Sequence, residues 1–108
     1  TKTTLACCLF EGFMDFLSYL TLVKQGKLPP PCRQPDLIVL NSVNNLSKAL
    51  SRLKAYKKIH CFLDNDDAGR KAVDLLREMN TATVYNVMEA FPYYKDVNDL
   101  LRDKKRMP

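Results

Sequence analysis

"HCFLDNDDAGRKAV", residues 60–73, runs from an apolar stretch into Asp-Asn-Asp-Asp and then into a helix-like pattern. The apolar side belongs to "KIHCFL" (58–63), which has the length and composition of a buried strand. On the other side Ala68, Ala72, Leu75, Leu76 and Met79 recur at helical spacing, so a helix is expected from about Asp67 to Met79. The junction therefore puts three carboxylates, Asp64, Asp66 and Asp67, where a strand ends and a helix begins. Folding has a use for one of them. Asp66 or Asp67 at the start of the helix accepts hydrogen bonds from its first turn and sits well at its positive end. The remaining carboxylates repel, which raises their pKa values and costs stability unless something relieves it. A hard divalent cation does so, and Mg²⁺ takes one or two carboxylates, keeps waters and completes its shell with phosphate oxygens. Asp64 and Asp66, two residues apart, both turn toward one ion if the backbone bends as the strand ends. Capping and cation binding are the two readings of this cluster.

Outward from the junction the chain alternates. "TTLACCLF" (3–10) is a continuous apolar run of strand length. Residues 13–24 take helical period, with Phe13, Phe16, Leu17, Leu20 and Val23 marking the expected inner face and Gly26 the stop. "KLPPPCRQPD" (27–36) is neither helix nor central strand and must be a surface connection. "LIVL" (37–40) is a second strand, "NSVNN" (41–45) a helix start, and Leu46, Ala49, Leu50 and Leu53 the face of a second helix. "TATVYNV" (81–87) is a fourth strand and "DVNDLLRDKK" (96–105) a short final helix or turn. Strand and helix in alternation predict an α/β fold in three layers, a mostly parallel four-stranded sheet flanked by helices. Ligands in such sheets sit outside the carboxyl ends of the strands, near the point where strand order reverses. Glu11 and Gly12 follow the first strand directly. In a 2-1-3-4 order they meet the Asp64–Asp67 cluster, gathering about four negative charges at one edge of a protein whose formal net charge is +5.

The length of 108 residues suits one domain, and 46% apolar with 27% charged residues is a globular composition. No apolar run approaches the ~20 residues of a membrane-spanning helix, and no secretory signal is visible. The chain starts at Thr1, close to its first strand, so a single domain spanning 1–108, excised from a longer protein, is expected. Cys7, Cys8, Cys32 and Cys61 contain no C-x-x-C spacing, which argues against a zinc site or disulfide framework and for a reducing cytoplasm. The excess of Lys and Arg is a mild push toward nucleic acid.

"FEGFMDFLS" (10–18), "FLDNDDAGRKAVDLL" (62–76) and "KDVNDLL" (95–101) together resemble the Toprim domain of bacterial primases, topoisomerases and some nucleases and recombination proteins. The Glu-Gly after the first strand stands as Glu11-Gly12 and the Asp-x-Asp as Asp64-Asn65-Asp66. Asp67-Ala68-Gly69-Arg70 resembles the primase branch, and the short form is similar to Toprim domains of conjugative, mobilisable and phage elements. The resemblance implies a Rossmann-like Toprim fold and Mg²⁺-dependent (or Mn²⁺-dependent) nucleotidyl transfer in primer synthesis, with DNA and nucleoside triphosphates as partners and a zinc-ribbon or helicase module alongside. It implies that Asp64 and Asp66 hold the metal. Glu11 is then general base, general acid in the reverse cleavage, or a further ligand. Gly12 would let substrate approach the backbone, and Asp67 would serve as helix cap and supporting carboxylate. Arg70, Lys71 and Lys95 are weaker candidates for phosphate contact, and Asp96 for added acidity, against the simpler readings of solvated helix faces and a helix start.

Two other functions share these residues: strand cleavage and rejoining as in topoisomerase or nuclease relatives, and a binding module without turnover. Phosphotransfer folds also put acids at strand ends. Receivers need an acidic pair after strand one, however, and haloacid-dehalogenase-like phosphatases carry their D-x-D there, so position argues against both. Candidates for a nucleic-acid surface are Lys48, Arg52, Lys54, Lys57, Lys58, Arg70, Lys71 and "RDKKR" (102–106). For Phe91, Tyr93 and Tyr94, packing is favoured over base stacking, and for His60 a structural role over a catalytic one.

Overall fold

The computed structural model describes residues 6–30, 35–79 and 82–106. Four strands, β1 (Ala6–Phe10), β2 (Asp36–Val39), β3 (Lys58–Phe62) and β4 (Thr83–Asn86), alternate with α1 (Phe13–Lys24), α2 (Leu46–Leu53), α3 (Asp67–Glu78) and α4 (Val97–Leu101). Short 3₁₀ turns at Val43–Asn45 and Val87–Ala90 lead out of β2 and β4. All strand pairs are parallel and the order is β2-β1-β3-β4, with Phe10 opposite both Val39 and Phe62. The first and fourth strand runs extend in sequence into residues 3–5 and 81, and the proline-rich connection contains Cys32; these lie outside the described residues. Among the described residues no helix is long and apolar enough to cross a membrane.

The sheet separates two cores. Cys7, Leu9, Ile59, Cys61 and Val84 face the side of α2 and α3, where Leu46, Leu53, Ala72, Val73 and Leu76 cover them. Cys8, Phe10 and Phe62 face the other side with Tyr19, Leu22, Met88 and Val97. Cys7 and Cys8 thus point into opposite cores, as adjacent strand residues must. Every residue of β1 is buried, which explains its unbroken apolar run. Gly26 ends α1 with a positive φ of 74° that suits glycine.

Two helix faces differ from expectation. α1 buries Asp15, Ser18, Tyr19 and Leu22, while Phe13 (56% exposed), Leu17 and Leu20 face outward with Met14. Phe16 and Val23 do pack at the margin of the second core. The rotation follows from what the helix meets. Asp15 and Ser18 both find hydrogen-bond partners on Asn98 of α4, which offset part of the cost of burying them. In α3, Ala68 and Leu75 are exposed, and Gly69 and Val73 take the inner positions beside Ala72 and Leu76.

Candidate metal centre

Three chain segments converge at the carboxyl edge of the sheet. The first leaves β1 through Glu11 and Gly12, and the next turn of α1 brings Asp15, only 7% exposed, over the strand ends. Its Oδ1 accepts a hydrogen bond from the Asn98 backbone N–H at 3.2 Å, and Ser18 Oγ donates to Asn98 Oδ1 at 3.1 Å. The second segment leaves β3 through buried Leu63 and reaches Asp64, whose N–H donates to Glu11 Oε1 at 3.3 Å. The third brings Asp96, which caps α4 by accepting from the Asp99 N–H at 2.8 Å.

One carboxylate oxygen from each of Asp15, Asp64 and Asp96 lies within 4.8 Å of the others. Asp64 Oδ1 is buried and has no hydrogen-bond partner. A buried carboxylate oxygen without a donor is rare, because the desolvation it suffers is not returned. Burial, and then Glu11, Asp15, Asp96 and Asp66, push the Asp64 carboxyl up to about 7. Burial is also the main cause that raises Asp15 to about 6; Asp96 and Glu11 add to it, while the N–H groups of Asn98 and Gly12 oppose it. Carboxylates held together with raised pKa values and an orphaned oxygen fit a hard divalent cation, which supplies the positive charge the protein itself does not place there.

The other expected residues are distributed around this centre. Asp66 caps α3: its backbone is extended (φ −142°, ψ 179°) and its Oδ1 accepts from the Gly69 N–H at 2.9 Å. The cap is therefore Asp66 and not Asp67, which is 90% exposed and paired with Arg70 at 2.9 Å. Gly12 sits at the start of α1, where an added Cβ would meet only Asp15 Oδ2 at 3.7 Å, an ordinary contact. Internal packing does not demand a glycine there, whereas the space in front of Asp15 would be narrowed by any side chain. Gly69 is different, since a Cβ there would run into the Asp64 carbonyl; its absence lets α3 start directly against the strand end. Lys71 and Lys95 are exposed. Arg70 and Arg106 line a cavity of about 180 Å³ with Asn65, Asn86, Glu89 and Pro92, beside the Asp64–Asp66 turn. Lys57 and Lys58, by contrast, lie at the amino end of β3, a strand length of about 15 Å from the acids. Phe91 packs on the second core and His60 stacks on Tyr85 with ring centroids 4.7 Å apart, both structural arrangements.

Asp15 was not singled out in the sequence, although it lies one helical turn after Glu11. The signal available was its spacing with Ser18, Tyr19 and Leu22, a regular stripe hidden by its polarity. Asn65 was also passed over; it is 8% exposed, and its side chain bonds three carbonyls.

A family model described as Toprim-like matches residues 8–101. The fold is similar to that of the primase fragment of the bacteriophage T7 primase-helicase protein, with a TM-score of 0.64 and 19% identity over 95% of this chain. The chain spans 40% of that fragment. No curated protein matches it. The sheet order and the family match bear out the Toprim resemblance and its Rossmann-like α/β fold.

Proposed function

We propose, since this chain belongs to the Toprim-like family, that it is the Mg²⁺- or Mn²⁺-dependent nucleotidyl-transfer domain of a primase-like DNA-processing protein. The likeness to the T7 primase fragment supports the primase branch, and its 40% coverage is in keeping with work beside further modules such as a zinc ribbon or helicase. The observation that carries the proposal is Asp64: a buried carboxylate oxygen without a partner, facing Asp15 and Asp96.

Asp15, Asp64 and Asp96 would hold the cation, with Glu11 bonded to the Asp64 N–H and Asp66 two residues further on as the cap of α3. A cation held there would supply positive charge to the phosphates of a triphosphate whose α-phosphorus a hydroxyl attacks as pyrophosphate leaves. The residues themselves do the rest. Glu11, whose Oε1 accepts from the Asp64 N–H, would take the proton of an attacking hydroxyl. Gly12 leaves its side of the crevice open to substrate. Arg70 and Arg106, around the adjoining cavity, offer cationic donors to phosphate oxygens.

Primer synthesis from nucleoside triphosphates on single-stranded DNA, assayed with the natural full-length polypeptide, tests the reading. Synthesis that requires Mg²⁺ or Mn²⁺ and is abolished by Asp64→Asn is the expected result. Metal-dependent strand cleavage without synthesis would transfer the same residues to the nuclease reading, and Mn²⁺ binding of equal affinity in wild type and Asp64→Asn would remove the centre.

A further inference from the structure

Asn65 lies between Asp64 and Asp66, yet its side chain turns away from the acids. Its Nδ2 is 2.9 Å from the Met88 carbonyl oxygen, 3.0 Å from that of Phe91 and 2.8 Å from that of Tyr94. Three acceptors around one atom fix the amide orientation, because the reversed amide would set its oxygen against three carbonyls. The Asn65 backbone joins the same segment: its N–H donates to the Lys95 carbonyl at 2.6 Å, and its carbonyl accepts from Arg106 Nη2 at 2.5 Å. Between β4 and α4 the chain has only the 3₁₀ turn Val87–Ala90 as regular structure. Asn65 supplies the donors that bind this segment to the end of β3, and the next residue after Lys95 is Asp96.

We infer that Asn65 is a positioning residue: it sets Asp96 against Asp15 and Asp64 without itself touching the cation. The inference rests on the cation reading above for its functional meaning, but the placement it describes does not. Replacing the amide leaves three carbonyls without their donor and releases the segment that carries Asp96.

Mn²⁺ titration by electron paramagnetic resonance at pH 7.5 on wild type, Asn65→Ala, Asp96→Asn and the double variant tests it. Each single change is expected to weaken Mn²⁺ binding at least tenfold, and the double variant to bind within about twofold of Asp96→Asn alone, since both act through one carboxylate. Fully additive losses overturn the inference, because a general loosening would weaken both backgrounds alike. Asn65→Leu, of the same branched shape but larger and without donors, should behave as Asn65→Ala; wild-type affinity in it also overturns the inference. A metal-free measurement separates this from the cation reading. The Asn98 amide, bonded to Asp15, should exchange with deuterium at least tenfold faster in Asn65→Ala while Val73 to Leu76 in α3 keep their protection. Unchanged Asn98 exchange overturns the placement even where Mn²⁺ binds. If wild type binds no Mn²⁺ but Asn98 exchange accelerates, the cation reading fails and the placement stands. Should both variants fail to fold, Asn65→Ser, which keeps one donor, gives the same comparison with a smaller expected loss of about threefold.

Discussion

The Asp64 N–H donates to Glu11 Oε1 at 3.3 Å, so the ends of two neighbouring strands are tied by one of the very carboxylates that repel each other there. That bond places Glu11 beside Asp64 without giving the Asp64 carboxylate a donor of its own. A buried oxygen without a donor among other acids is an arrangement that a cation would complete, and the energetics of the cation-free cluster follow from it.

Asp64→Asn should separate function from stability. The amide removes a charge that burial and four neighbouring acids disfavour, and it brings two N–H donors to acceptors nearby. In chelator at pH 7.5 the variant is expected to be as stable as wild type or more stable by about 1 kcal/mol, measured by urea denaturation, while Mn²⁺ no longer raises its unfolding midpoint.

The pH dependence has a definite sign. Asp64 at about 7 and Asp15 at about 6 both stand above the ordinary 3.8, so the folded state keeps protons that the unfolded chain has released. Stability from these two groups is fully present below about pH 4 and is lost as pH rises through 6 and 7. With solvent screening allowed for, unfolding in chelator should become easier by on the order of 2 kcal/mol between pH 4 and pH 8. Saturating Mn²⁺ should flatten or reverse that slope, and Mn²⁺ affinity should itself rise from pH 5.5 to 7.5 as the ion displaces protons.

The two glycines should respond differently, one in stability and the other in binding. Gly→Ala inside an exposed helix ordinarily stabilises by up to about 1 kcal/mol. Gly69→Ala should instead destabilise by roughly 3 kcal/mol, since the methyl meets the Asp64 carbonyl. Gly12→Ala should leave the urea midpoint nearly unchanged yet weaken Mn²⁺ binding or substrate turnover, because its methyl narrows the approach to Asp15.

The orientation of α1 can be checked by substitution alone. Leu17→Gln and Leu20→Gln on the outer face should each stay within about 0.5 kcal/mol of wild type. Leu22→Ala on the inner face should cost about 3 kcal/mol. Equal losses on both faces would contradict the burial of Asp15.

Most of the architecture was readable because it depends on local patterns. The strand run at 58–63, the acids after it and the helix that follows reappear as β3, the Asp64–Asp66 turn and α3. A 2-1-3-4 order is the one in which Glu11 and the Asp64–Asp67 cluster share an edge, and the sheet has that order. What escaped was tertiary in origin. α1 was turned by hydrophobicity toward Phe13, Leu17 and Leu20, yet the polar groups of α4 decide which face goes inward, and Asn98 is remote in the chain. Asp96 reads more simply as a helix cap, and it is one; nothing local in "KDVNDLL" says that this cap also faces Asp64. Asn65 reads only as the middle residue of a D-x-D, because its three acceptors belong to a loop whose path no local pattern dictates.

Asp15, Asp64 and Asp96 come from three separate units of chain, the helix after β1, the turn after β3 and the start of α4. A chain with only one or two of those units in place offers a lone carboxylate or a pair, and neither the unfolded state nor a partly folded one can grip an ion as the complete trio can. Ion occupancy would therefore register whether the whole topology has closed, and a cation held there would act as a removable cross-link between distant parts of the chain.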